Sequence, residues 1–219
     1  MIKYNEMKNK KFLLELLMIT LFSALLISCD DDDNEDLPQA ALYNTLSLYT
    51  KDYTLWHYFS FEADSVIATG SADPQDGDDA TWKQRTDWDL AFHRNDVRTN
   101  SGVSGIGQGG MLEASETDFD LVLEVPTSGY TVDDSLNIML TPAMPPVYTG
   151  STGNSVCDGW ASYDHTEGVW VFAEKVFIVK TADGKYAKIW LKSFLDDEDN
   201  SGRITMEYAY QSDGSTSLE

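Results

Sequence analysis

The sequence predicts an all-β protein: a single domain of antiparallel sheets with projecting loops, set behind an N-terminal leader. Three observations carry that expectation. Aromatic and β-branched residues recur with period two in several short segments, the spacing that places alternate side chains on one face of a strand. Clusters of Gly, Asn and Asp separate these segments. Beyond the leader there is neither a long 3.6-residue apolar period nor an alternation of strands with helices, so the strands pair without helical crossovers.

The leader comes first. Lys8, Lys10 and Lys11 precede an apolar run over residues 12–28, broken by Glu15 and short for a helix that stops in a membrane. The run ends Leu26-Ile27-Ser28-Cys29, which reads as a lipobox. Such a site needs a thiol at the cleavage point, because the sulfur takes the diacylglycerol before the preceding peptide bond is cut. Residues 1–28 are therefore expected to be a signal peptide, with Cys29 as the lipid anchor. Asp30 to Asp33, Asn34, Glu35 and Asp36 follow, a run of like charge that cannot bury itself. It is read as part of a solvated tether over residues 29–45, leaving 46–219 as the β domain.

Loss of residues 1–28, which hold four Lys and two Glu, takes the formal charge from −22 to −24. A surface this acidic repels nucleic acid and anionic membrane, so contact with a membrane is expected through the lipid alone. Anionic ligands must be held by local contacts. Once Cys29 is acylated, Cys157 is the remaining cysteine. It can form neither an intramolecular disulfide nor a thiolate metal cluster, and the fold must rest on its core.

The strands follow in order. Thr54–Phe61 is rich in aromatics. Trp88–Arg94 alternates, with Trp88, Leu90 and Phe92 expected on one face. Further strands are expected at Val169–Val179, Tyr186–Phe194 and Arg203–Tyr210. Ala182-Asp183-Gly184-Lys185 is a hairpin turn, since Asp-Gly supplies the positive φ angles such turns need. Residues 70–80 and 196–202 are loops.

Candidate chemistry is sparse. Gly105-Ile106-Gly107-Gln108-Gly109-Gly110 fits a dinucleotide fingerprint in letters, but no helix follows to carry a pyrophosphate. Asp197-x-Asp199-x-Ser201-Gly202 resembles the opening of a calcium loop, yet Tyr208 stands where a bidentate Glu belongs. No set of nucleophile, base and orienting group emerges, so the reading is binding and not catalysis. Residues 139–165 stand out. Met144 lies in Pro142-Ala143-Met144-Pro145-Pro146, where proline on both sides prevents ordinary strand pairing and produces a stiff projecting loop. Gly159-Trp160 and Tyr163-Asp164-His165 follow. Thioether sulfur and imidazole nitrogen are common axial partners of haem iron.

The ordered series Trp56-x-Tyr58-Phe59-Ser60-Phe61, Trp88-Asp89-x-Ala91-x-His93-Arg94-x-Asp96-Val97-Arg98 and Ser101-Gly102-x-Ser104-Gly105-x-Gly107-x-Gly109-Gly110 is more specific than any of these motifs. With Val125-Pro126-Thr127-x-Gly129-Tyr130-Thr131-Val132-Asp133, Gly159-Trp160 and Val176-Phe177 through Ala182-Asp183-Gly184-Lys185-x-Ala187-Lys188, it resembles the HmuY-like haem-binding lipoproteins of Bacteroidetes. The resemblance implies an all-β fold holding haem b between projecting loops by two axial side chains, histidines or methionines. It implies His165 as one ligand and, from the loop after Asn137–Leu140, Met144 as the other, with Met139 and Met111 in reserve. His57 or His93 would have to move to give a bis-histidine site, and His93 is read as structural. No C-x-x-C-H is present, so haem would be held non-covalently. The resemblance further implies an outer-membrane, cell-surface lipoprotein, toward whose display the acidic run after Cys29 points. Its partners would be host haemoproteins as a haem source and a TonB-dependent receptor. The rival reading is a surface glycan-binding or adhesion lipoprotein without haem, with Trp160 and Trp170 as stacking platforms.

The lipobox reading predicts that Cys29→Ala leaves an unacylated, uncleaved precursor. A fatty-acid probe followed by mass measurement checks it, and label retained by the variant would refute the assignment.

Overall fold

The computed structural model describes residues 40–219. Cys29, the leader and most of the expected tether lie outside the described residues. Two antiparallel sheets make the body. The five-stranded sheet runs in the order β1 (Leu42–Tyr49), β13 (Ser201–Gln211), β12 (Tyr186–Leu195), β11 (Val176–Lys180), β6 (Gly110–Glu113). The four-stranded sheet runs β3 (Ser65–Ser71), β2 (Leu55–Ser60), β4 (Leu90–His93), β5 (Asp96–Thr99). Two further hairpins stand apart as two-stranded ribbons: β7 (Asp134–Thr141) with β8 (Val147–Gly153), and β9 (Ala161–Asp164) with β10 (Val169–Phe172).

Period-two burial explains the layers. Ile204, Met206, Tyr208 and Tyr210 of β13 point one way and meet Phe59, Leu90 and Phe92 of the four-stranded sheet, and Phe61 just past β2, in the principal core. Val176, Ile178 and Ala209 point the other way, and Phe119, Val122, Val125 and Leu218 cover them. The outer face of the four-stranded sheet, Trp56, Tyr58 and Ala91, is covered by Ile138, with Leu136 and Leu140 beside it. The β7–β8 hairpin is thus apolar on the side that meets the sheet. Asp89 ties the two sheets together, its carboxylate accepting from Phe61 N at 2.9 Å and from Ala182 N at 3.0 Å. Burial pushes that carboxyl up to about 6 against the pull of the two amides.

Several expectations are corrected. Leu42–Thr45, assigned to the tether, belong to β1 and pair with Tyr210–Glu207. The single strand expected at Val169–Val179 is two strands in different sheets, since Ala173–Lys175 leave the ladder between them. Trp88 precedes β4 and packs with Trp56 and Tyr58, on the opposite side from Leu90 and Phe92, so the three do not share a face. Residues 70–80 are not all loop: β3 runs to Ser71, and a short helix α1 (Asp78–Trp82) begins within the segment. The glycine-rich segment has a packing role. A Cβ at Gly105 would sit 2.0 Å from Asn100 Oδ1, and one at Gly107 2.7 Å from Asn100 O. Asn100 in turn donates to the Arg85 and Trp88 carbonyls. In the acidic turn before β13, Asp197 pairs with Arg203 and Asp196 with Lys51.

Both ribbons depend on a buried polar junction. The Asp133 carboxylate accepts from Thr99 N at 2.9 Å, Thr99 Oγ1 at 2.6 Å and Asn154 Nδ2 at 2.9 Å. Asn154 N donates to Val97 O, and the Asn154 side chain caps the 3₁₀ turn Ser155–Cys157 that leads toward β9. Arg98 of β5 adds a clamp, donating to Thr152 O and Ser151 Oγ of β8 while lying 3.9 Å above the Trp56 ring. Asp133→Ala would leave several buried donors unsatisfied, so it should cost about 3 kcal/mol. Chemical denaturation measures that loss. Hydrogen exchange should show the β7–β8 amides opening before those of β12 and β13.

Candidate functional site

The two ribbons flank a cleft of ≈ 380 Å³, and its floor is the β4–β5 turn. That volume lies within the range of small-molecule sites. On one side β7 alternates: Leu136, Ile138 and Leu140 pack toward the sheet, so Asn137 and Met139 face the cleft. Met139 stands opposite Tyr148 of β8, which lines the same wall. On the other side Tyr163 and Trp170 are register partners on β9 and β10, edge to face at 5.6 Å. Trp170 also packs edge-on against Phe194 at 5.0 Å, which fixes the ribbon to the main core.

The floor is polar. His93 is fully buried, its Nδ1 3.1 Å from Asp96 Oδ2 and its Nε2 2.8 Å from Tyr53 O. Both ring nitrogens are engaged, in keeping with a structural histidine. Arg94 follows at φ 51°, a left-handed conformation unusual for a side chain of this size. Its guanidinium lies 4.3 Å from the Tyr53 ring and 5.0 Å from the Phe194 ring. Burial lowers its pKa, while Tyr53 and Asp96 raise it. Asn95 binds the neighbouring ribbon, accepting from Trp160 Nε1 at 2.7 Å and donating to Ala161 O.

Met144 lies in the turn between β7 and β8 and is 93% exposed. His165 lies in the turn between β9 and β10 and is exposed, with its ring edge-on to Tyr163 at 5.1 Å. The two candidate ligands therefore occupy the turns of the two ribbons that flank one cleft, and the reserve candidate Met139 is on its wall. Met111 is corrected: it is fully buried on β6 in the principal core and has no route to a ligand. His57 is half-buried on β2 and is not among the cleft residues. Trp160 is 2% exposed with its indole N–H bonded to Asn95, so it cannot serve as a stacking platform, whereas Trp170 does reach the cleft. Tyr53, Asn95 and Tyr148 also line the cleft, and the sequence motifs do not single them out. Tyr148 beside Pro145-Pro146 carried a usable signal, an aromatic just after a stiff turn. Tyr53 carried none, because its neighbours in the cleft are remote in sequence.

The family model for the HmuY protein matches residues 52–208. No curated protein matches the chain. A structure from Bacteroides vulgatus, provisionally described as a HmuY-like haem-binding protein, is 25% identical, with a TM-score of 0.61 over 77% of this chain and 92% of that one. The apo HmuY analogue of Tannerella forsythia is 22% identical, with a TM-score of 0.61 over 79% and 97%. A provisionally described lipoprotein of Bacteroides fragilis is 20% identical, with a TM-score of 0.62 over 84% and 94%. The all-β sandwich, the paired ribbons and a match over well over half of the sequence lead to one conclusion: the chain belongs to the HmuY family.

Proposed function

We propose that the protein binds haem b non-covalently in the cleft between the β7–β8 and β9–β10 ribbons. It does so as a lipid-anchored protein of the cell surface. The observation that supports the reading is an aromatic cleft flanked by two ribbons whose turns carry Met144 and His165, side chains able to ligate iron. Met144 is solvent-exposed, and neither ring nitrogen of His165 hydrogen-bonds to a described residue. Aromatic and thioether walls, from Tyr148, Tyr163, Trp170 and Met139, suit the flat apolar faces of a porphyrin. Haem, when bound there, would supply a redox-active iron that side chains of the two ribbon turns would hold.

His165 and Met144 are the proposed ligands, with Met139 in reserve. Imidazole serves either oxidation state, whereas a thioether is soft and favours ferrous iron. The family membership and the provisional description of the Bacteroides vulgatus relative support haem as the ligand. The lipobox and acidic run support an outer-membrane lipoprotein displayed at the surface. Capture from host haemoproteins and delivery to a TonB-dependent receptor complete the proposal. The role is carriage, not catalysis.

Titration with haemin tests the reading, with a saturable, sharpened Soret band as the expected result. His165→Ala should weaken ferric binding by tenfold or more, equivalent to about 1.4 kcal/mol. Met144→Ala should lower ferrous affinity and the reduction potential. A Met144→Ala protein with the parent's ferrous spectrum and potential would pass the role to Met139. No saturable binding by the parent protein would favour the glycan or adhesion alternative.

A further inference from the structure

We infer that Arg94 is the anchor for an acidic arm of the ligand, which on the haem reading above is a propionate. Arg94 is 8% exposed at the cleft floor, yet none of the described carboxylates pairs with it. A guanidinium carries five N–H donors. The protein engages Nη1 with Thr50 O and Nη2 with Ser201 Oγ, both at 3.2 Å, and the Tyr53 hydroxyl takes a further bond, which leaves donors free. The Tyr53 and Phe194 rings hold the group in a fixed orientation without neutralising it. Asp96 on the same floor attracts Arg94 at longer range without pairing with it. A buried cation that lacks a paired counter-charge is costly, and an anion on its free donors would offset that cost.

Space is reserved for this arrangement. A Cβ at Gly202, where φ is +110°, would come within 2.5 Å of Arg94 Nη1. The need for such an anchor follows from the charge. At a formal −22 the chain repels an anion at long range, so a dianionic porphyrin requires a local cation. Among the residues lining this cleft Arg94 is the one permanent cation, and its planar fork matches a carboxylate. His165 and Met144 address the iron, whereas Arg94 addresses the porphyrin's edge, so the two contributions separate by chemistry.

The experiment uses the full chain in detergent and three probes: haemin, haemin dimethyl ester and metal-free protoporphyrin IX. Affinities are read from tryptophan quenching and, for haemin, the Soret band. The parent protein should bind haemin about tenfold or more tighter than the ester. Arg94→Gln should erase that preference and weaken metal-free protoporphyrin by a similar factor, although no iron is present. Equal affinity of the parent protein for haemin and its ester would overturn the anchor while leaving haem binding intact. Failure to bind any of the three would overturn the haem reading and the anchor with it. Should Arg94→Gln not fold, the ester comparison on the parent protein decides alone.

Discussion

The buried carboxylate of Asp133 is the constraint on which the site depends. It gathers Thr99 from the end of β5 and Asn154 from the end of β8 around one charge. From that point β7 departs in one direction, and the 3₁₀ turn leading to β9 in the other. Burial raises the Asp133 pKa, and four hydrogen bonds oppose the rise. A carboxylate placed there is tolerable only because its acceptor positions are filled. Either ribbon alone would be a two-stranded hairpin, which is marginal in water. Each is stable here because its base is bonded into the sandwich and one face is packed on it.

The resulting division of labour is clear in the packing. The sandwich core is made of large aromatics, with Phe59, Phe61 and Tyr208 in mutual edge-to-face contact, and it is rigid. The ribbons carry several exposed apolar groups: Met144, Val147, Tyr148, Tyr163, Val169 and Val171. Exposed apolar groups gathered near a cleft favour a flat, poorly soluble ligand. The floor contributes the opposite character, a buried imidazole tied to its neighbours and a guanidinium with donors to spare.

Much of this was legible in the sequence. Period-two patterning exposed β2, β12 and β13, because each has one face on the core and enough length to show alternation. Asp183-Gly184 marked its turn, and the prolines around Met144 marked the projecting one. β7 and β8 were largely hidden, since Met139 puts an apolar residue on the outward face of β7 and Gly150 and Gly153 interrupt β8. β1 was hidden by its proximity to the acidic run, although Leu46 and Leu48 pack on the core. Met111 shows the limit of sequence position as a guide to ligation. It follows a glycine-rich turn that looked exposed, but β6 pairs with β11 and carries it inward. Arg94 was legible as part of a motif and not as a site, because its burial at the cleft floor without a paired carboxylate exists only in three dimensions.

Hydrogen–deuterium exchange with and without haemin addresses the central claim most directly, because it reports where the ligand sits without altering any residue. Binding between the ribbons predicts slowed exchange in residues 137–148 and 161–171 and at the β4–β5 turn. The β1 edge and the segment around Phe119 should remain unchanged. Protection confined to another face of the sandwich, or saturable haemin binding with no protection in either ribbon, would contradict the assignment of the cleft.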